Sequence, residues 1–406
     1  MVANQKRREF IATVGAVSAF GVAGCLSGDE NASGNTIKVG VMQPLTGPLG
    51  SVGEPARDAA VLPAQQVNDA DIEAEIDIQT EDTQTDPQAA VSAAQSLVDA
   101  DYPAISGPLS TATTLQVLQN VCKPNQIAEC TLATAPTITD VDDNDLLFRT
   151  SASDALMSQA VAQLANEGMD VSSISTFAIN DSYGQSLANA FADAFDGNVL
   201  EQVSFESGQS SYTSKLTQAL SGDPDALFIV AFTENGIKIL RDFYSDFSSD
   251  TEILATSGIY NPAIPENVNA DLTNITGVTS VGTGPSLDHF NQAFNDEYGS
   301  EPGQFTWQAY DATATLMLAN AAADSNDGAA IKDNMRQIAN PEGTEVTADN
   351  LAEGVEMAMN GDDINYQGVT SDITFDDNGD VESGTYSEYW FTSDGALETG
   401  DQISID

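Results

Sequence analysis

Basic residues are scarce in this sequence. Of 406 residues only 12 are Lys or Arg, against 62 Asp or Glu, and there is a single His. The formal net charge is −50, although charged residues make up only 18% of the chain, below the ~25% usual in globular proteins. A surface so uniformly negative repels phosphate backbones and excludes nucleic acid as a partner. The one imidazole, His289, sits between Asp288 and Phe290 on a helical pattern, so a Ser-His-Asp or Cys-His arrangement would have to rest on it alone. Phosphate loops of the GKS or GKT kind, Gly-x-Ser-x-Gly elbows and HExxH motifs are missing. Carboxylates this abundant make any acid pair uninformative. An enzyme is not expected, and no cofactor or metal site is called for.

The excess acid has its own physical reading. At low ionic strength it pushes the compact state apart, whereas at molar salt the Debye length falls to ~3 Å and the repulsion is screened. The acids are spread along the whole chain, as suits a protein built for concentrated brine. Hydrophobic residues at 41% are ample for a core and argue against disorder. The length corresponds to roughly two to three domain-sized units.

Lys6, Arg7 and Arg8 precede an uncharged stretch from Phe10 to Gly24. That stretch is shorter than the ~20 apolar residues of a permanent span, and it has the charged start and short apolar middle of an export signal. Arg7-Arg8 before Glu9-Phe10-Ile11 resembles a twin-arginine signal. Val22-Ala23-Gly24-Cys25 resembles a lipoprotein processing box, with Cys25 the residue that carries the lipid. Residues 1–24 are thus read as signal, and 25–35 as lipidated Cys and flexible tether. Removing residues 1–24 leaves 9 bases and 61 acids, a net charge of −52. No later segment is apolar enough to cross a membrane. In an oxidising compartment Cys122 and Cys130 are expected to form a local disulfide, worth less than ~3 kcal/mol because the loop is short.

From Ile37 onward apolar runs alternate with helical patterns. Strands are expected at 37–42, 75–82, 103–106, 127–133, 174–179, 199–205, 226–231, 252–255 and 276–281. Helices are expected at 55–68, where Pro63 should cost a hydrogen bond or a kink, and from Asp86-Pro87, a good N-cap followed by a good first helical residue. Others fill 111–121, 154–167, 184–195, 211–220, 234–246 and 286–298, and 304–361 reads as helical without strands. This spacing predicts an α/β fold with parallel sheets. Near the C-terminus Ile373-Thr374-Phe375 and Tyr386 to Phe391 read as strands around an acidic turn, Asp376 to Asp380. That turn has a calcium-loop flavour but lacks the far bidentate acid, and a hairpin turn using Asn378-Gly379 is favoured.

Ligands bind above the carboxyl ends of strands in open α/β sheets. Hydroxyls gather there: Gly107 to Thr113 follows one strand and opens a helix, and Ala133-Thr134-Ala135-Pro136 follows the next. Together with Ile37-Lys38-Val39-Gly40-Val41, Leu45-Thr46-Gly47-Pro48, Glu81-Asp82-Thr83, Asp86-Pro87, Phe148-Arg149-Thr150, Ser153-Asp154 and Asn180-Asp181-Ser182-Tyr183-Gly184, these segments resemble a known family. It is the type I periplasmic solute-binding proteins of ABC importers, in particular the binders of branched-chain amino acids and amides. The resemblance covers about residues 36–406.

It implies two doubly wound parallel-sheet lobes joined by a three-segment hinge and closing like a flytrap, with 36–150 plus 283–372 as the first lobe and 151–282 plus 373–406 as the second. By similarity, Ser110 or Thr111, Thr134 and the backbone of Leu132 would take a ligand carboxylate, while Asp154 and Tyr183 would meet an α-ammonium. Phe232 and Thr233 would contact ligand from the second lobe, and Gly50, Ser51 and Val52 line the first loop. The family's amino-acid binders carry an acid in the loop after the strand matching Ile253-Leu254-Ala255. Ser257 stands in its place, and Glu234 is the alternative acid. The expected function is a lipoprotein on the outer face of the cell membrane, capturing an amino acid, amide or small carboxylate for an ABC permease. The alternative is a sensory ectodomain of the same fold.

Overall fold

The computed structural model describes residues 36–247, 250–339 and 342–405. The export signal, Cys25 and the tether lie outside these residues. Parallel pairing follows from the alternation of strand and helix, since each return crossover runs through a helix. β1 (Thr36–Gln43), β2 (Glu75–Asp82), β3 (Ala104–Ser106), β4 (Ala128–Thr131) and β5 (Leu147–Arg149) form one sheet, ordered β2-β1-β3-β4-β5 and parallel throughout. β6 (Ser173–Ile179), β7 (Asn198–Phe205), β8 (Ala226–Val230), β9 (Glu252–Ala255) and β10 (Ile275–Ser280) form the parallel part of a second sheet. Two short strands, β11 (Thr344–Val346) and β12 (Ile364–Tyr366), pair with each other alone. The hairpin β13 (Gly384–Phe391) and β14 (Leu397–Ile405) then joins the second sheet antiparallel, giving β14-β13-β10-β9-β8-β6-β7.

Both faces of each sheet are covered. In β8, Leu227 and Ile229 enter one core while Ala226, Phe228 and Val230 enter the other, all at zero exposure. That is why the strand reads as an unbroken apolar run. Asp86 caps the helix Pro87–Asp99 by accepting hydrogen bonds from the amides of Gln88 and Ala89. The first helix runs from Gly50 to Asp69 with both Pro55 and Pro63 inside it. It starts five residues earlier than expected, and buries Ala56, Ala59, Ala60, Leu62 and Val67 in the core it shares with the helix Thr306–Ala323.

The chain passes between the sheets three times: after β5, after β10 and ahead of β13. The third passage differs from the expected boundary. Ile373, Phe375 and Val381 pack in the core of the first lobe, so 373–381 belongs there rather than with the second. The reason is an ion pair. Arg149, fully buried on β5, donates through Nε to Asp380 Oδ1 at 2.5 Å and through Nη2 to Oδ2 at 2.6 Å. Its amide also bonds the Gly379 carbonyl at 2.9 Å. The acidic turn is a tight reversal between Phe375 and Val381 with Gly379 at φ +78°.

The expected Cys122–Cys130 disulfide is not formed, and both thiols are free and buried. Cys130 points from β4 into the core shared with Phe148 and Tyr310, whereas Cys122 packs with Met42, Ile105 and Leu147 on the other face of the sheet. Nearness in sequence placed the two residues together, but the strand's alternation sends them apart. Glu129, buried on the face of Cys122, has its carboxyl pushed up to about 8 by burial.

Candidate functional site

The carboxyl ends of β1, β3 and β4 face those of β6, β8 and β9 across a cavity of ≈ 250 Å³. That is smaller than the ~300–1,000 Å³ of drug-sized pockets and suits a ligand of few heavy atoms. On the first lobe, the turn after β3 brings the chain to the cavity. Gly107 has φ +102°, and a Cβ there would lie 2.1 Å from the Met42 carbonyl oxygen, so only glycine fits. Ser110 then caps the helix Thr111–Val117: its Oγ accepts from the Thr113 amide at 3.3 Å and lies 2.7 Å from Thr113 Oγ1. The first two helical residues, Thr111 and Ala112, line the cavity, and their amides have no carbonyl of their own helix to bond.

Thr134 and Asp154 meet directly. Thr134 Oγ1 donates to Asp154 Oδ2 at 2.8 Å, and the Asp154 amide donates to the Thr134 carbonyl at 2.7 Å. Rather than standing at opposite ends of a ligand, as the resemblance implies, they join the two lobes beside the first crossing. Asp154 is 3% exposed. Burial pushes its carboxyl up to about 7, against the opposing pull of the Thr134 hydroxyl and of Arg149. Arg149 does not itself reach the cavity, because Asp380, the Ala133 and Ala135 carbonyls and Thr139 Oγ1 occupy its guanidinium.

The second lobe presents aromatic faces. Tyr183 and Phe232 stack at 5.2 Å with planes 17° apart. Burial and the neighbouring Asp154 raise the Tyr183 phenol, which stays protonated. Asp181 caps the helix Ser182–Ala194 through the Gly184 amide at 2.8 Å, and burial raises its carboxyl. Asp154 and Asp181 line the cavity with no Lys, Arg or His among its lining residues. At the far wall the Ser257 carbonyl accepts from the Gln304 side-chain amide, and Ser257 Oγ accepts from the Ser280 amide at 3.4 Å. Among the described residues no group of His, Cys, Asp and Glu is arranged to hold a metal ion.

Of the residues singled out in the sequence, Val52, Ser110, Thr111, Thr134, Asp154, Tyr183, Phe232 and Ser257 line this one cavity, whereas Gly50, Ser51, Leu132, Thr233 and Glu234 do not. Ser51 is exposed, because the helix begins at Gly50 and turns Leu49 and Val52 toward the cavity instead. Leu132 is core at zero exposure, and its amide is already bonded to the Pro108 carbonyl at 3.0 Å. Thr233 turns its Oγ1 to the Gly258 carbonyl at 3.1 Å. Glu234 faces solvent in the first turn of the helix Thr233–Asp246. Gln304, Phe305 and Gln308 also line the cavity, but they reach it from the start of a helix rather than from a strand end, where no sequence signal marks them. Asp181 lines the cavity as well, and its place as N-cap just after β6 is the sequence signal that marks it.

Residues 36–354 match the sequence family described as periplasmic binding protein. A chemotactic signal transduction system substrate-binding protein of Halobacterium salinarum, BasB, is 24% identical over 84% of this chain and 84% of its own length. The crystal structure of a leucine binding protein, LivK, from Thermotoga maritima aligns with a TM-score of 0.75 at 22% identity, covering 90% of this chain and 98% of that one. The branched-chain amino acid transporter substrate binding protein LivJ of Streptococcus pneumoniae, in complex with isoleucine, aligns with a TM-score of 0.74 at 20% identity, covering 91% and 99%. With two parallel-sheet lobes, three crossings and a cleft between them, the chain belongs to the periplasmic binding protein family.

Proposed function

We propose that this protein captures an amino acid or a closely related small carboxylate or amide between its two lobes and delivers it to an ABC permease. The observation that carries the reading is the shared cavity. Helix-start amides at Thr111 and Ala112 are suited to a carboxylate, and Asp154 in its ionised form, with the Tyr183 ring, is suited to an ammonium. The wall contributed by Leu49, Val52, Leu109 and Met157 is apolar and suits an aliphatic side chain. Hinge closure would bury the ligand, and the closed form would dock on the permease. Binding proceeds without turnover. Lipidation at Cys25 would hold the protein on the outer face of the cell membrane, with the segment to residue 35 as tether.

The test is calorimetric titration in molar salt against amino acids, amides and aromatic acids. Saturable binding of an amino acid, an amide or a small aromatic acid supports the reading; folded protein that binds none of the three classes refutes it. A second reading, sensing, is favoured by the chemotactic naming of the Halobacterium salinarum relative. The fold would be unchanged and the closed form would engage a signalling partner. Deleting the gene separates the two: loss of uptake supports transport, and loss of the tactic response with uptake intact supports sensing.

A further inference from the structure

We propose that Gln304 selects ligands carrying a donor nitrogen, in place of the carboxylate that the resemblance puts at Ser257. The inference rests on reading the cleft as an amino-acid or amide site. Gln304 stands on the first lobe just ahead of the helix Thr306–Ala323 and lines the cavity. Its Nε2 donates across the cleft to the carbonyls of Ser257 and Tyr260, the latter at 3.4 Å. Both carbonyls belong to the loop that lacks the acid. An amide turned the other way would set its own oxygen against two carbonyl oxygens, so the nitrogen is the atom that faces the second lobe. Oε1 is then the acceptor this residue offers to the cavity it lines.

Two independent features mark the same segment as built for a ligand. Phe305, also in the cavity wall, holds φ +63°, a left-handed conformation that a bulky residue adopts only where its surroundings impose it. One turn into the helix, Gln308 is 6% exposed and its Oε1 has no hydrogen-bond partner; Ser151 Oγ, 2% exposed at the first crossing, has none either. Both residues line the cavity, and a buried polar atom without a partner is costly unless a ligand or water completes it. A neutral acceptor at Gln304 differs from an acid in kind. It bonds an ammonium, amide or urea nitrogen through N–H without requiring charge, and its other end clasps the two lobes. Recognition of the ligand's nitrogen and closure of the cleft therefore meet in a single side chain.

The experiment compares leucine with 4-methylpentanoate, which has the same carbon chain without the nitrogen. Both are titrated into the wild-type protein, Q304A and Q304E in molar salt, with thermal melts confirming that each variant is folded. Q304A loses the clasp as well as the acceptor, so both ligands should be held less well, but leucine should lose about tenfold more affinity than 4-methylpentanoate, the value of one hydrogen bond to a charged donor. Q304E keeps an acceptor but cannot donate to the Ser257 and Tyr260 carbonyls, so it should keep the preference for leucine and release it faster. Equal losses for both ligands in Q304A, or no loss for either, would overturn the proposal while leaving the amino-acid reading intact. Failure of the wild-type protein to bind leucine or any other amino acid or amide would overturn that reading, and this proposal with it.

Discussion

Binding should be linked to the ionisation of Asp154. Its carboxyl, pushed up to about 7 by burial, is about half protonated at neutral pH in the empty cleft, yet an ammonium needs the carboxylate. Each pH unit below 7 therefore adds about 1.4 kcal/mol to the cost of binding, so affinity for a zwitterionic ligand should fall up to about tenfold per unit as pH drops from 7 to 5. Above pH 8 it should level off. Binding near pH 7 should also release up to about half a proton. The ammonium and carboxyl groups of leucine do not titrate in this window, so the effect belongs to the protein. The assay is calorimetry at constant salt in buffers of differing ionisation enthalpy. Asp154→Asn should abolish both the slope and the proton release. The stability signature runs the other way. The folded protein binds a proton that the unfolded chain gives up near 3.8, so stability present below pH 4 is lost as pH rises to about 7. Asp154→Asn should then raise the melting temperature at pH 8. An affinity flat from pH 5.5 to 8.5 in the wild-type protein, or a slope that survives in Asp154→Asn, refutes the argument.

Three further outcomes follow from the structure. The domain from Thr36 onward should yield two thiols to an alkylating reagent after denaturation without reductant and none when native, read by mass spectrometry; a two-proton mass deficit would mean a disulfide exists after all. Asp380→Asn leaves Arg149 buried beside a neutral amide, and removing one partner of such a pair costs about 3–5 kcal/mol. A melting temperature within a degree of the wild type would show that the third crossing is not held this way. Dilution from molar salt to 0.1 M lengthens the Debye length from ~3 to ~10 Å and should lower the melting temperature steeply in NaCl and KCl alike, as expected if screening of the net charge is what stabilises the fold.

Much of the fold was legible because it is written locally. Glu75–Asp82 and Glu252–Ala255 occur with the bounds expected from apolar runs and flanking polar residues, and Asp86-Pro87 starts its helix as capping chemistry requires. The elements missed have weak local signals. β5 is three residues long. β14, Leu397–Ile405, is largely exposed and carries Glu398 and Asp401, so its apolar pattern is faint. β11 lies inside a stretch that read as helical. The site was readable where a strand end supplied it, as at Ser110, Thr134 and Tyr183. It was not readable where distant segments meet: Gln304 reaches Ser257 across 47 positions, and Arg149 reaches Asp380 across 231. Ser51 and Leu132 were misplaced for a local reason, since neighbours on a helix or a strand face different ways.

The Thr134–Asp154 contact and the Gln304 bridge to the Ser257–Tyr260 loop tie the same two halves together by different chemistry. A door with two latches, one sensitive to acid and the other not, can be worked through either. Titrating the first changes how readily the door stays shut at a given acidity, whereas cutting the second changes how long it remains shut once a guest is inside.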